Sequence, residues 1–155
     1  MKRLLSVALI MIMVAMCTIT SFAIVEKDEI EVICFEDGSY LEIVVVESDK
    51  SFSTYATQTK TGDKVLSYKD SNGELKWKVT VTGTFTYTGS SSTCTTSSIS
   101  YNVYAENWKI IETTASKSSN KAIGNVTAKR YLLGLPVQTV TETITLSCSA
   151  NGTLS

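Results

Sequence analysis

Residues 75–88 read LKWKVTVTGTFTYT. Apolar side chains occupy every second position of this stretch, interrupted only by Gly83, and lysines and threonines occupy the positions between them. Because successive side chains of a strand point to opposite faces, this alternation predicts a long β-strand. Its inner face is expected to be apolar and its outer face to be lined with threonine.

The sequence on both sides of this strand predicts further strands. Asp37-Gly38 and Asn72-Gly73 lie between apolar, β-branched runs, which is a strong signal for β-hairpins. No 3.6-residue helical period occurs after residue 23. We expect an all-β fold over residues 30–155, a single antiparallel, immunoglobulin-like β-sandwich of about seven to nine strands.

The comparison with immunoglobulin domains depends on the order Cys94, Trp108, Cys148, which matches the cysteine–tryptophan–cysteine pattern of that fold. Two details differ from the pattern. Cys94 lies in a Ser/Thr-rich run that we expect to be a loop, and Leu146 stands where a corner tyrosine would be found. The prediction is therefore of immunoglobulin-like architecture at most.

The first 23 residues have the pattern of a secretory signal peptide. A basic start, MKR, precedes an apolar run over residues 4–20 and the small-residue sequence Ser21-Phe22-Ala23. A membrane anchor is the alternative, but the run is short for a span of about 20 residues and an acidic segment, residues 24–29, follows it. Lipid attachment at Cys17 is disfavoured because Met16 precedes it. We predict a secreted, extracellular protein with an acidic N-terminal arm at residues 24–29.

The composition excludes several classes of function. Loss of Lys2 and Arg3 with the leader takes the 14 basic side chains to 12, against 15 acidic ones, which argues against a nucleic-acid-binding protein. Histidine is absent, which removes Ser-His-Asp and Cys-His catalysis and the usual zinc ligand sets. We predict no cofactor, no metal, no catalytic residue and no enzymatic activity.

Carboxylate pairs are the remaining possibility for hydrolysis. Glu106, Glu112 and Glu142 could supply them. Glu142 falls on the otherwise apolar phase of its strand, and we interpret it as an inward-pointing charge that protects a sheet edge.

Three cysteines follow the leader. An exported chain meets an oxidising environment, so one disulfide is expected, and we pair Cys94 with Cys148 because both lie in similar Ser/Thr surroundings. Cys34 is then a buried free thiol or an intermolecular link, and its apolar neighbours favour burial.

The outer-phase threonines admit three interpretations. They are a solvent-facing sheet surface, which is the commonest reason for threonine in strands, an ice-binding face, or the polar face of a pore-forming hairpin. Ice binding would need ranked threonines on several adjacent flat strands. Tyr104 is out of phase with the apolar positions before it and is the best candidate for an exposed aromatic side chain. The candidate exposed binding face consists of Thr80, Thr82, Thr84, Thr86 and Tyr104.

Several segments resemble a group of small secreted, β-rich proteins from anaerobic, gut-type Gram-positive bacteria that has no established function. The resemblance is carried by FEDGSY (35–40), NGELKW (72–77), VTGTFTYTGSSSTCT (81–95), NWKI (107–110), SKSSNKAIGNVTAKRY (116–131) and TITLSCSANGTLS (143–155). It implies export and one β-rich domain, and it supplies no catalytic motif.

The functional expectation is an extracellular or cell-surface-associated binding or structural module. Its partner is expected to be a cell-wall or extracellular glycan or a protein, with no stable membrane span after cleavage of the leader. The alternative is a secreted antibacterial or pore-forming factor that acts on membranes.

Overall fold

The computed structural model describes residues 30–48 and 57–155. These residues form eight strands and no helix. The strands are β1 Glu31–Cys34, β2 Tyr40–Ser48, β3 Gln58–Lys69, β4 Leu75–Tyr87, β5 Ser92–Val103, β6 Trp108–Ser118, β7 Lys121–Leu132 and β8 Leu135–Ser147. The predicted signal peptide at 1–23 and the acidic arm at 24–29 lie outside the described residues.

The strands form two antiparallel sheets that pack face to face. The larger sheet has the order β1-β2-β3-β4-β5 and the smaller one the order β6-β7-β8. The prediction of an all-β, sandwich-like fold is confirmed. An immunoglobulin domain divides its strands as ABED and CFG, whereas the described strands follow one another in sequence order within each sheet. The immunoglobulin-like topology is therefore not confirmed.

The long strand predicted from residues 75–88 is β4, and its two faces differ as the alternation indicates. Trp77, Val79, Val81 and Phe85 are 0% exposed, and the threonines between them lie on the outer face. Residues 90–98, expected to be a loop, instead belong largely to β5. From Ser92 onward the backbone of this serine- and threonine-rich segment pairs with β4, except at the bulged Thr95, so tertiary pairing overrides its weak hydrophobic pattern.

Three aromatic rings fill one end of the core. The Tyr68 ring stacks on Trp77 with 5.3 Å between ring centroids and lies 4.7 Å from the Trp108 ring. The Tyr68 hydroxyl donates to Ser39 Oγ at 2.9 Å and accepts from Gln138 Nε2 at 3.1 Å. Since Trp108 begins β6 and Tyr68 lies in β3, this cluster joins the two sheets.

At the other end of the contact between the two sheets, close packing depends on small residues. β7 crosses β4 and β5 at Gly124, where a Cβ atom would overlap the Val81 side chain and lie 3.0 Å from Ile99 Cδ1. Val81 lies on a central strand with neighbours on both sides, so it has little freedom to move away. Glycine at position 124 therefore sets the distance between the sheets.

We expect Gly124→Ala to destabilise the fold by about 1–3 kcal/mol, because overpacking forces neighbouring side chains and backbone to shift. Urea denaturation followed by tryptophan fluorescence measures the change. Thr127→Ala is the matched control. It lies three residues further along the same strand, on the outer side, and should change stability by less than about 0.5 kcal/mol. Equal stability of Gly124→Ala and the wild type would contradict this account of the interface.

Candidate functional site

The outer face of the larger sheet carries hydroxyl groups on three adjacent strands. We call this surface the hydroxyl platform. It consists of Thr59 and Thr61 on β3, Thr80, Thr82, Thr84 and Thr86 on β4, and Thr93, Thr96, Ser98 and Ser100 on β5. The β4 members are the threonines predicted from the sequence as a binding face.

Strand register places these hydroxyls in rows. Thr84 lies between Thr61 and Thr96. One repeat further along the strand, Thr86 lies between Thr59 and Thr93. Neighbouring strands are about 4.8 Å apart and alternate residues about 6.6 Å apart, so the rows form a two-dimensional array. A β-bulge at Thr95 interrupts its regularity on β5, where Thr93 and Thr96 are three residues apart.

Part of this array is satisfied internally. The Thr61 and Thr84 hydroxyls are 3.0 Å apart, and Thr82 Oγ1 donates to Asp63 Oδ1 at 2.6 Å. Within the described residues, the hydroxyls of Thr86 and Thr96 have no hydrogen-bond partner. The platform therefore combines fixed hydroxyls with hydroxyls that can bond to a ligand.

The four predicted β4 threonines are partly buried, because each lies between side chains of β3 and β5. The positions on β5 are the more exposed ones. Sequence reasoning missed them because it treated residues 90–98 as a loop. Their signal was the two-residue alternation that continues into Ile99.

Tyr104 is 54% exposed, but it is not part of the platform's central rows. Its backbone N–H donates to the Lys76 carbonyl at the far end of β4. Ten residues separate Lys76 from Thr86, which corresponds to about 33 Å along a strand. Tyr101 pairs with the buried Val79 but is itself 50% exposed.

The outer face of the smaller sheet is a second polar surface with a different character. Its hydroxyls and amide groups bond mainly to each other. Thr143 Oγ1 donates to Asn125 Oδ1 at 2.8 Å, and Asn125 Nδ2 donates to Thr114 Oγ1 at 3.0 Å. This face has fewer free donors and acceptors at its centre than the platform has.

The expected Cys94–Cys148 disulfide is absent from the structure, in which both residues are buried free thiols. Their backbones bond to consecutive residues of one turn, since Cys94 N–H donates to Ser119 O and Cys148 N–H to Asn120 O. Each thiol donates to a backbone carbonyl near its own position in sequence, Cys94 Sγ to Thr96 O at 3.2 Å and Cys148 Sγ to Ser149 O at 3.5 Å. The two thiols nevertheless lie close enough to interact, since the pKa of the Cys94 thiol is raised by burial and, to a smaller extent, by Cys148.

Cys34 is exposed, so the expectation of burial is wrong. It ends β1, a four-residue edge strand whose residues are all exposed. Among the described strands β1 pairs with β2 alone, and the smaller sheet does not cover it. The apolar neighbours of Cys34 in sequence therefore do not form a buried site around it.

The three candidate carboxylates are not brought together. Glu112 is paired with Thr127 on the outer side of the smaller sheet, whereas Glu142 is paired with the buried Val126 on the inner side. Glu106 lies in the loop before β6. The structure thus separates Glu112 and Glu142 onto opposite faces, which does not suit a pair of hydrolytic carboxylates.

The described part of the chain offers neither a cluster of metal ligands nor a membrane-crossing helix. Residues 30–48 and 57–155 contain no group of three or more cysteine, aspartate or glutamate side chains able to hold a metal ion. The same residues include no helix of the length and apolar character that a membrane crossing needs.

Comparison of the chain with protein-family models, with curated proteins and with solved structures found no match. The resemblance described from the sequence therefore stays a prediction.

The cysteine environments predict selective thiol chemistry. In residues 24–155 at pH 8, one thiol, Cys34, should react rapidly with Ellman's reagent, because it is exposed. Burial raises the pKa of the Cys94 thiol, although the nearby Lys117 charge opposes this, so Cys94 should react slowly. Cys34→Ser should remove the fast phase, and denaturation should expose two further thiols. A total of one thiol after denaturation without reductant would show that Cys94 and Cys148 are oxidised.

Substitution of Glu142 is expected to increase the stability of the fold in a pH-dependent way. Burial raises the pKa of its carboxyl group above its ordinary value in the folded state, so the unfolded state ionises first as the pH rises. The charged Glu142 carboxylate is less stable in the folded state than in the unfolded state, so it lowers the free energy of unfolding. This loss reaches its full size once the pH exceeds the pKa of the folded state. We expect Glu142→Gln to increase the unfolding midpoint in urea at pH 7 and to leave it unchanged at pH 3. Exposed Glu112→Gln is the control, and an equal gain in both variants would contradict the assignment.

Proposed function

We propose that this chain is an exported binding module that contacts a hydroxyl-rich cell-wall or extracellular glycan through the hydroxyl platform. The supporting observation is the register of hydroxyls on three adjacent strands, with Thr61, Thr84 and Thr96 in one row. Each hydroxyl can donate one hydrogen bond and accept two, which complements the hydroxyl groups of a sugar polymer.

The dimensions and charge of the platform favour a neutral, extended ligand. Its rows extend along about 20 Å of β4, the distance that six residues span in a strand. Asp63 is the charged residue among the central rows, and its carboxylate accepts from the Thr82 hydroxyl. An open surface on which hydroxyl groups predominate suits many weak polar contacts along a polymer better than enclosure of a small molecule.

The structure also bears on the ice-binding and the pore-forming interpretations of the threonines. Adjacent strands in a sheet are rotated by about 20–25° relative to one another, so three strands do not present the flat lattice that ice binding requires. A pore-forming hairpin built on β4 would have to turn Trp77, Val79 and Phe85 towards lipid. These side chains are 0% exposed in the core, so that rearrangement would unfold the domain.

Binding to isolated Gram-positive cell walls tests the proposal. Thr86→Lys places a long side chain over one row, and β4 already carries Lys76 and Lys78 on the same outer phase, so the fold should tolerate it. We expect binding to weaken about tenfold, since the loss of one or two net hydrogen bonds is worth about 1.4 kcal/mol.

Thr141→Lys is the matched control, because it adds the same charge to the outer face of the other sheet. It should bind like the wild type. Equal effects of the two substitutions, or no saturable wall binding by the wild type, would contradict the proposal. Thermal hysteresis of an ice–water mixture that Thr86→Lys removes would assign the platform to ice instead.

A further inference from the structure

The hairpin between β7 and β8 ends in an exposed apolar tip. We call residues 131–137 the β7–β8 tip. Its exposed side chains are Leu132 (62%), Leu133 (97%), Leu135 (69%) and Val137 (49%). Apolar residues on a soluble domain are common singly, but a contiguous group at a protruding turn marks an interaction surface.

The backbone conformation of the tip is energetically unfavourable for leucine at position 133. Leu133 and Gly134 have φ values of 50° and 82°, which places both central residues of the turn in the left-handed region. Such two-residue turns favour Asn-Gly, since a residue with a side chain pays about 1–2 kcal/mol for this conformation and asparagine tolerates it best. Leucine at position 133 therefore improves neither folding nor solubility, and a contact outside the chain accounts for it better.

Basic and aromatic groups lie immediately behind the leucines. Lys129 and Lys109 are cross-strand partners, and Lys109 Nζ lies 5.3 Å from the centroid of the Tyr131 ring. Arg130 is also exposed, on the opposite face of β7, where it pairs with Trp108. Residues 129–138 contain no acidic side chain.

The nearest acidic groups belong to other elements. Asp37 is in the β1–β2 turn, where the charge of Arg130 contributes to lowering the pKa of its carboxyl group, after hydrogen bonds from Ser39. Glu106 is in the loop before β6, next to Asn107, whose carbonyl accepts from Tyr131 N–H. Residues 131–137 carry no charge themselves, and the basic side chains around them outnumber these two acidic ones by three to two.

We propose that the β7–β8 tip inserts into the surface of a lipid bilayer that contains anionic headgroups. The leucines would enter the boundary between headgroups and acyl chains, which lies about 5–10 Å deep. Lys129 is four residues from Leu133, or about 13 Å along a strand, which places the basic side chains at headgroup level. Tyr131 lies between these depths, where amphipathic aromatic rings are favoured. A convex tip of this kind fits a deformable lipid surface, and the basic groups select its charge.

This inference does not rest on the proposed glycan binding. The tip lies at the end of the smaller sheet, whereas the hydroxyl platform is the outer face of the larger sheet. Vesicles contain no glycan, so vesicle binding and wall binding report on separate surfaces.

The experiment uses the chain purified from the medium of an exporting Gram-positive host, with its N-terminus read from the intact mass. Leu133→Trp places a reporter at the tip, and the native Trp77 and Trp108 are buried. On addition of phosphatidylcholine vesicles with 30% phosphatidylglycerol, we expect a blue shift of the emission, which brominated lipids then quench. Ser90→Trp, in the turn between β4 and β5 at the opposite end of the sandwich, should show neither effect. Equal shifts in the two variants, or none in Leu133→Trp, would overturn the proposal.

Leu133→Asn separates the lipid contact from the fold. It creates an Asn-Gly turn, so the thermal unfolding midpoint should stay the same or rise. Partition into the same vesicles by sedimentation should fall about tenfold to hundredfold, the factor expected for one leucine removed from an apolar environment. Lys129→Gln should weaken binding to the anionic vesicles and leave the weak binding to pure phosphatidylcholine unchanged.

Two results would overturn the proposal. One is vesicle binding by Leu133→Asn equal to that of the wild type. The other is a wild-type dimer, measured by sedimentation velocity, that Leu133→Asn dissociates while neither protein binds vesicles, because the tip would then be a contact between copies of this chain.

Discussion

The contact between the inner face of β4 and the smaller sheet supports the rest of the structure. β4 is buried along this face from Trp77 to Phe85, and the close approach of β7 at Gly124 is possible only because that residue has no side chain. Burial of one phase of a strand forces the other phase outward. The same packing that forms the core therefore directs the threonines of β4 to the opposite side, where the hydroxyls of β3 and β5 join them.

The sequence predicted the parts of the fold that have a strong local pattern. β4 and the turns at Gly38 and Gly73 follow from alternation and from turn residues that accept a positive φ. The first part of β5, residues 92–98, was missed because six of these seven residues are serine or threonine, so pairing with β4 decides its conformation. Local pattern predicts a strand, but it does not show which strands lie side by side.

The candidate surfaces were predicted less completely for the same reason. The β4 threonines were found from one segment, whereas the array exists only when the register of three strands is known. The tip at Leu133 was not identified, because a left-handed leucine cannot be inferred from its neighbours alone. Cys34 has apolar neighbours but lies at a sheet edge, so its exposure follows from the sheet order rather than from composition.

The strand order has a further consequence for assembly of the domain. In the described part of the chain, β1–β5 of the larger sheet all precede β6–β8 of the smaller one, so the described strands change sheets once, between β5 and β6. Most strand pairs therefore close through short hairpins, which lowers contact order relative to interleaved sandwiches and favours faster folding. A break in the connection at residues 104–107 would leave two fragments with intact ladders, which could recombine through their apolar faces as non-covalent halves.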